Sequence, residues 1–554
     1  MNKISYKEIN GQLFHLSKEA IRTLVLESKC GLIDSIKNYK KLSSSIDITT
    51  SANFSPLLCI YRRSSPNYIH SKNQNGFDDE SFKKDISPTT NALLTTSILY
   101  LSTYYSRFKD TDKKLFSYSQ VYKRLSKEQL NFYSINLRNN EGVFVEKRNL
   151  SENNYTGFKL EDKNNKFKFS DQAFMMVSYN LFSILYPEDE LASDYNNFSI
   201  EILQTLIEFK EKIYDSSFEE ICKVLTAINI FYNNSKNNDA NILIVDLTDF
   251  LINKFDEKDY FIDSLDFTAL LSINLILSFK HSKIISFNEK TNDIINKLLS
   301  LYDNEKDLFL KLSSKKEIKY SCFDIVFYFL AIYVYSKEDG KEQDFKNIIS
   351  SLYKKSIVNS GIVTAWPDAP TLDDAERYKG LTFNSKDMLN EDFFKLPTTQ
   401  SPSNLGIAPI FKKNVTYSKK KDSFSTSNSS FDSYKNMFVL TLFIFLFKDD
   451  FLSETSLPKS IENIPSIETE LNNMYSKNTN IDLDTILETT DNYINKKENF
   501  NTRVNEDTSI SLDNTISDDN TIEVDYSSKV NAENNCDISN SENSNDIEED
   551  STIK

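Results

Sequence analysis

The sequence predicts an all-α body of paired helices, and three observations predict it. Apolar residues recur at helical spacing in one segment after another between residues 90 and 450. The segments alternate between two kinds, one almost wholly apolar and one amphipathic. Helix breakers are scarce: the 554 residues hold 9 Gly and 11 Pro, with no Gly between Gly157 and Gly340 and no Pro between Pro187 and Pro367.

The apolar segments run from Asn91 to Ser106 (NALLTTSILYLSTYYS), Asp171 to Leu185 (DQAFMMVSYNLFSIL), Phe218 to Tyr232, Phe267 to Phe279, Phe323 to Tyr335 (FDIVFYFLAIYVY) and Tyr434 to Phe447. A helix apolar nearly all round must be covered on every side, so these six are expected inside. Between them lie Leu115 to Asn131, Ile200 to Tyr214, Asn241 to Phe255, Glu289 to Leu312 and Gln343 to Tyr353, each with a charged face that suits the surface. The central apolar segments begin near 171, 218, 267 and 323, a spacing of about fifty residues that signals an array of helical hairpins. An open array leaves its end helices uncovered, whereas a closed ring does not. The amphipathic segment Lys18 to Ser28 is placed to supply the sixth outer helix beside the last inner one.

This alternation resembles the (α/α)6 toroid, or six-hairpin barrel, found in many glycosidases, polysaccharide lyases and sugar epimerases. The resemblance covers residues 90 to 450 and rests on helix count and alternation. Isoprenoid cyclases and prenyltransferases use related toroids, so the architecture does not choose the chemistry.

Two connections interrupt the helices. In residues 134 to 169, Phe158, Leu160, Phe167 and Phe169 alternate with polar positions around DKNNK, which reads as a short β-hairpin. Residues 357 to 431 form a long loop with the only Trp, Gly361, Gly380 and Gly406, and five of the 11 Pro. Both lead from an outer helix into an inner one, so in a ring of hairpins both emerge at the same rim, where long loops carry function.

The net charge of -16 belongs to one end. Residues 454–554 hold 23 acidic and 7 basic residues, and the remaining 453 residues hold 58 of each sign. From about residue 500 aromatics nearly vanish, so the expectation is a helical toroid domain over 1–453 and an acidic, mostly disordered tail over 454–554. Such a tail suits a protein partner.

Several classes are disfavoured. Neither G-x-G-x-x-G nor G-x-x-x-x-G-K-[ST] occurs, against nucleotide cofactors. His15, His70 and His281 stand apart, against a histidine zinc site or a Ser-His-Asp triad, and no cofactor or metal is expected. Cys30, Cys59, Cys222, Cys322 and Cys536 contain no C-x-x-C and read as thiols of a reducing compartment. The longest apolar stretch, Met437 to Phe447, is too short for a membrane helix, and the amino terminus lacks an apolar signal region, so a cytoplasmic protein is expected. Lys412, Lys413, Lys419, Lys420 and Lys421 bracket NVTYS as a small charged hairpin; with a neutral body and an acidic tail, nucleic acid is not an expected partner.

Two sets of residues carry candidate chemistry. GIVTAWPDAPTLDDAERYKG, from Gly361 to Gly380, brings together Trp366, Asp368, Asp373, Asp374, Glu376, Arg377 and Tyr378. An aromatic platform for a sugar ring, a carboxylate pair for glycosidic chemistry and an arginine clamp for an anion would all be present. Equally, Asp373 and Glu376 read as a capping box and Trp366 as a plug in the barrel. The second set lies at the amino ends of the inner helices: Asn91, Asp171 with Gln172, Asp266, Asp324, and Asp432 with Tyr434. These suit helix caps, and Asp266 and Asp432 fit that role best. Asp171 or Asp324 opposite a loop carboxylate would instead form an acid/base pair with a raised pKa.

The sequence is thus expected to encode a carbohydrate-acting enzyme of hydrolase, lyase or epimerase type. Asp171, Asp324, Asp368, Asp373 and Asp374 are its candidate catalytic groups, and Trp366, Arg377, Tyr378, Gln172 and Asn91 the candidates for binding an oligosaccharide. The alternative is a non-catalytic toroid, its old pocket filled by Phe and Tyr, that binds a protein partner.

Overall fold

The computed structural model describes residues 4–39, 54–64, 82–151, 157–164, 166–258, 260–368, 370, 408–426 and 431–452. All of them belong to one compact unit, Met1–Asn463. The second unit, Ile464–Lys554, and the whole of the expected acidic tail, 454–554, lie outside the described residues.

Among the described residues the α-helices are α1 Tyr6–Leu26, α2 Pro88–Ser106, α3 Lys113–Asn136, α4 Phe169–Leu185, α5 Ala192–Glu208, α6 Lys210–Tyr214, α7 Phe218–Ser235, α8 Asn238–Glu257, α9 Tyr260–Asp263, α10 Leu265–Ser282, α11 Ile285–Leu299, α12 Cys322–Ser336, α13 Glu342–Leu352 and α14 Ser433–Leu452. Helix α2 packs on α4, α4 on α7, α7 on α10, α10 on α12, α12 on α14, and α14 returns to α2. That sequence of contacts closes a ring. Outside it α3, α5, α8, α11 and α13 each pack against the inner helix that precedes them, and α1 packs against α14 as the sixth outer helix. The architecture is an (α/α)6 toroid.

Residue composition sorts the two layers. Helix α12 (CFDIVFYFLAIYVYS) buries every residue except Tyr335. Helix α11 buries only Phe287, Thr291, Ile294, Ile295 and Leu298, one stripe at helical spacing. Helix α1 starts at Tyr6, well before Lys18, because Ser5 and Glu8 form a reciprocal capping box. The scarcity of glycine also shows: α7 and α10 end on Lys236 and Lys283 in left-handed conformation, at φ 54° and 59°, where helices commonly place Gly.

Aromatic rings fill the middle. Phe174 of α4 meets Phe438 of α14 with centroids 5.7 Å apart, although α2 separates those helices around the ring, so the contact crosses the axis. Phe323 and Phe327 of α12 stack at 4.4 Å, and each lies 5.6 Å from Phe438. Phe267 of α10 joins them at 6.2 Å from both.

Small strands decorate the connections. They are β1 Gly31–Ile33, β2 Leu57–Ile60, β3 Arg63–Ser64, β4 Asp85–Ile86, β5 Lys147–Asn149, β6 Leu160–Asp162, β7 Tyr302–Asp303, β8 Leu308–Phe309, β9 Glu317–Ser321, β10 Asn414–Ser418, β11 Ser423–Ser425 and β12 Phe431–Asp432. They form antiparallel pairs β1–β2, β3–β12 and β7–β8 and two three-stranded sheets, β4-β5-β6 and β11-β10-β9. The lysine-bracketed hairpin is β10–β11, with β9 as a third strand.

The hairpin expected around DKNNK is arranged differently: β6 pairs with β5, and Phe169 opens α4. Charge explains the choice, because Lys147 then faces and bridges Asp162, while Arg148 faces Glu161 and bonds Asp85 across β4. Gly31 is required where it stands, since a Cβ there would lie 1.8 Å from the Cys59 carbonyl oxygen.

Candidate functional site

The amino ends of the inner helices gather at one rim, and side chains tie them together. Asp171 of α4 accepts from the Thr89 amide at 2.9 Å and its hydroxyl at 2.5 Å, so it caps the neighbouring α2. Glu220 of α7 accepts from the Ser170 amide of α4 at 2.9 Å. Asp171 is 1% exposed and its Oδ2 has no hydrogen-bond partner. Burial pushes its carboxyl up to about 6, against the pull of Lys168 and the Thr89 bonds.

Three of these helices carry an amide side chain at their fourth residue, and each clamps a rim segment by both backbone groups of one residue. Asn91 accepts from the Ile60 amide at 2.8 Å and donates to the Ile60 carbonyl at 3.3 Å. Gln172 does the same to Phe144, at 3.0 and 2.8 Å, and Asn436 to Phe411, at 2.7 and 2.9 Å. Each amide also donates to a carbonyl one turn back, on Ser87, Lys168 and Asp432 respectively. These bonds satisfy rim groups that are buried from water.

Where α7, α10, α12 and α14 begin, the rim opens into a cavity of about 870 Å3. Asp266 of α10, Asp324 of α12, Glu219 of α7 and Lys435 of α14 line it, with Lys311 and the outward face of β9 as a further wall. Asp324 is held on two sides: its Oδ2 accepts from the Ser321 amide at 2.7 Å, and its Oδ1 pairs with Lys311 at 2.6 Å. Ser321 Oγ in turn accepts from the Asp324 amide, so the carboxylate belongs to the capping box that starts α12.

Asp266 is the second residue of α10, and its Oδ1 accepts from the Phe267 amide at 3.0 Å. Burial, followed by the like charge of Asp324, pushes its carboxyl up to about 6, while Lys435 pulls the other way. The ammonium of Lys435 also sits 4.7 Å from the Phe323 ring, and Lys223 lies 5.2 Å from Phe267, so two cations stand over the aromatic axis. A carboxyl that changes protonation near pH 6 beside a second, fixed carboxylate is equipped for proton transfer. Among the described residues no group of three His, Cys, Asp or Glu side chains is placed to hold a metal, and no helix is long and apolar enough to cross a membrane.

The remaining sequence candidates are dispersed. Asn91, Gln172 and Asp171 hold backbone and lie off the cavity lining. Trp366 is 7% exposed and packs in the hydrophobic core, on a segment whose Thr364 amide donates to Ile410. Asp368 is exposed, and its carbonyl lies 2.7 Å from His15 Nε2. Asp373, Asp374, Arg377 and Tyr378 lie outside the described residues. Sequence reading gave Asp266 to a cap and passed over Glu219, Lys311 and Lys435; for Glu219 and Lys435 a place within two residues of an inner-helix start was the available signal, while Lys311, well before α12, carried none.

No protein-family model and no curated protein matches the sequence. Solved structures similar to it include a cellobiose 2-epimerase from Bacillus thermoamylovorans, at 8% identity over 57% of this chain and 82% of that one, with a TM-score of 0.36. A D-mannose isomerase is similar at 9% identity over 74% and 96%, with a TM-score of 0.40. A sugar epimerase from a ruminal bacterium is similar at 11% identity over 70% and 95%, with a TM-score of 0.35.

Proposed function

We propose that the rim cavity is the active site of a carbohydrate-acting enzyme of hydrolase, lyase or epimerase type, with Asp266 and Asp324 as its acid/base pair. The observation that carries this reading is that carboxylates from two neighbouring inner helices line one open cavity, and that one of them is raised to about 6. Near neutrality a fraction of Asp266 holds its proton and is able to give it to a sugar oxygen as that oxygen's bond to carbon breaks. Asp324, fixed by Lys311 and the Ser321 amide, is placed to accept a proton or to stabilise positive charge.

The test is a panel of mono- and oligosaccharides, scored by thermal shift and by product analysis with the wild-type protein and Asp266→Asn. Conversion of one sugar, reduced by roughly a hundredfold or more in the variant with binding retained, supports the reading. Absence of any shift and any conversion across the panel overturns it.

The filled axis favours a second reading. Phe174, Phe267, Phe323, Phe327 and Phe438 occupy the middle of the ring, as in a toroid that has given up a central pocket and binds a protein partner instead. A saturable complex with a protein, unchanged by Asp266→Asn and with no response to sugars, would favour this second reading.

A further inference from the structure

The rim cavity has two unlike walls. Its helix side carries Glu219, Asp263, Asp266 and Asp324, from α7, α9, α10 and α12, with Lys435 of α14 as a cation among them. Its sheet side carries Lys311, Lys315 and Lys319, with Glu317 among them. Lys311 is occupied by Asp324. Lys315 and Lys319 are exposed, and among the described residues neither has a carboxylate within ion-pair distance, Glu317 included.

Strand geometry fixes the direction of Lys319. Ile318 and Tyr320 of β9 are buried, so Glu317, Lys319 and Ser321 face outward, and Lys319 stands opposite Thr416 of β10, which also lines the cavity. Lys315 precedes the same strand in a turn tied to β10 by the Lys419 amide, which donates to the Lys316 carbonyl at 3.0 Å. The basic surface continues outward from there through Lys420 and Lys421, both exposed at the tip of β10–β11.

We infer that this sheet wall is an anion subsite, and that the carbohydrate taken by the cavity carries a negative group: a carboxylate, a sulfate ester or a phosphate ester. The inference rests on the reading of the cavity as a sugar site and gives that sugar its class. Two ammoniums without an ion-pair partner among the described residues attract the charged group, and the carboxylates of the helix wall, which outnumber Lys435 there, repel it, so the anionic end lies on the sheet and the uncharged part of the sugar faces Asp266. Glu317 reduces the positive field of the wall without cancelling it, standing as one carboxylate beside these two ammoniums.

The experiment is calorimetric titration of the full chain with digalacturonate, a chondroitin sulfate disaccharide, glucose 6-phosphate and maltose, at low and high salt, repeated with the double variant Lys315→Ala/Lys319→Ala. At least one acidic ligand is expected to bind roughly tenfold more tightly than maltose at low salt, with a gap that narrows in high salt. The double variant, whose two side chains are exposed, is expected to melt as the wild type does and to lose the gap. The arm that binds identifies which anion is recognised. Binding of maltose as tight as that of every acidic ligand overturns the inference; so does a gap that survives the double variant, or a lack of binding by the whole set. An acidic ligand held by the lysines but left unconverted keeps the subsite and removes the enzyme reading. Conversion of neutral sugars with no preference for charge does the reverse.

Discussion

The side-chain amide of Asn91 pairs with both backbone polar groups of Ile60, taking its N–H at 2.8 Å and giving to its C=O at 3.3 Å. An amide side chain thereby performs the pairing of a neighbouring strand, at a place where a helix end meets the last residue of β2. Gln172 and Asn436 repeat the arrangement with Phe144 and Phe411. Three rim segments are therefore registered against three inner helices by the same device.

Asn91→Ala should leave the Ile60 N–H and C=O buried without partners. Each orphaned group costs about 1 to 3 kcal/mol, so a loss of about 2 to 6 kcal/mol is expected in chemical denaturation. Asn91→Asp keeps the acceptor and loses the donor, and should fall between. Hydrogen exchange gives the local signature: the Ile60 amide speeds up in Asn91→Ala while the Phe411 amide does not. Equal protection of Ile60 in both proteins would refute the clamp.

Asp171 should make the protein sensitive to pH. Its folded value of about 6 lies above the value of about 3.9 expected for an unfolded chain, so the native state holds the proton more tightly. That contribution is complete below about pH 4 and is lost as pH rises through about 6, a change of about 3 kcal/mol. Asp171→Asn retains an oxygen for Thr89 and has no proton to lose. Its stability between pH 4 and 7.5 should be flatter than that of the wild type by this amount, and an unchanged slope would count against the buried, unsatisfied Oδ2 as its source.

Much of the ring was legible because burial on all sides leaves a strong mark in composition. Helix α12 has hardly a polar residue to expose, and α11 shows one apolar stripe. Closure by α1 was legible too, although its start at Tyr6 depended on the Ser5 and Glu8 box rather than on periodicity. The β5–β6 pairing was not, because it is chosen by Lys147 with Asp162 and Arg148 with Glu161, contacts between segments that local alternation does not see.

The lining of the candidate cavity was half legible for a similar reason. Asp324 stood out at the head of an apolar run, but Asp266 reads from sequence like any acidic residue in a first turn. Its shift comes from burial first and then from Asp324, which the approach of α10 to α12 brings near, and neither is visible in the local sequence.

The aromatic axis should be a major source of stability. Phe438 contacts Phe174, Phe323, Phe327 and Tyr434, and is 1% exposed. Phe438→Ala is expected to cost about 3 to 5 kcal/mol, measured by urea denaturation, since rings held from four sides have little room to collapse into the gap. A loss below 1 kcal/mol would show that the rings do not form a tight plug.

The coupling between Asp266 and its neighbours yields a prediction with two opposite signs. Asp324 is the like charge that helps raise Asp266, and Lys435 is the cation that opposes the rise. Asp324→Asn should therefore move the Asp266 titration down from about 6, and Lys435→Ala should move it up. Both shifts are read directly by carboxyl-carbon NMR titration, with Asp266→Asn identifying the resonance. They are independent of turnover, so they test the geometry of the pair whether or not a substrate is known. If neither variant moves the titration, burial alone raises Asp266 and the two carboxylates do not act as a pair. If both move it as expected, Asp324 adds to burial in keeping Asp266 protonated into the pH range where a general acid is useful, and the two helix ends form one chemical unit.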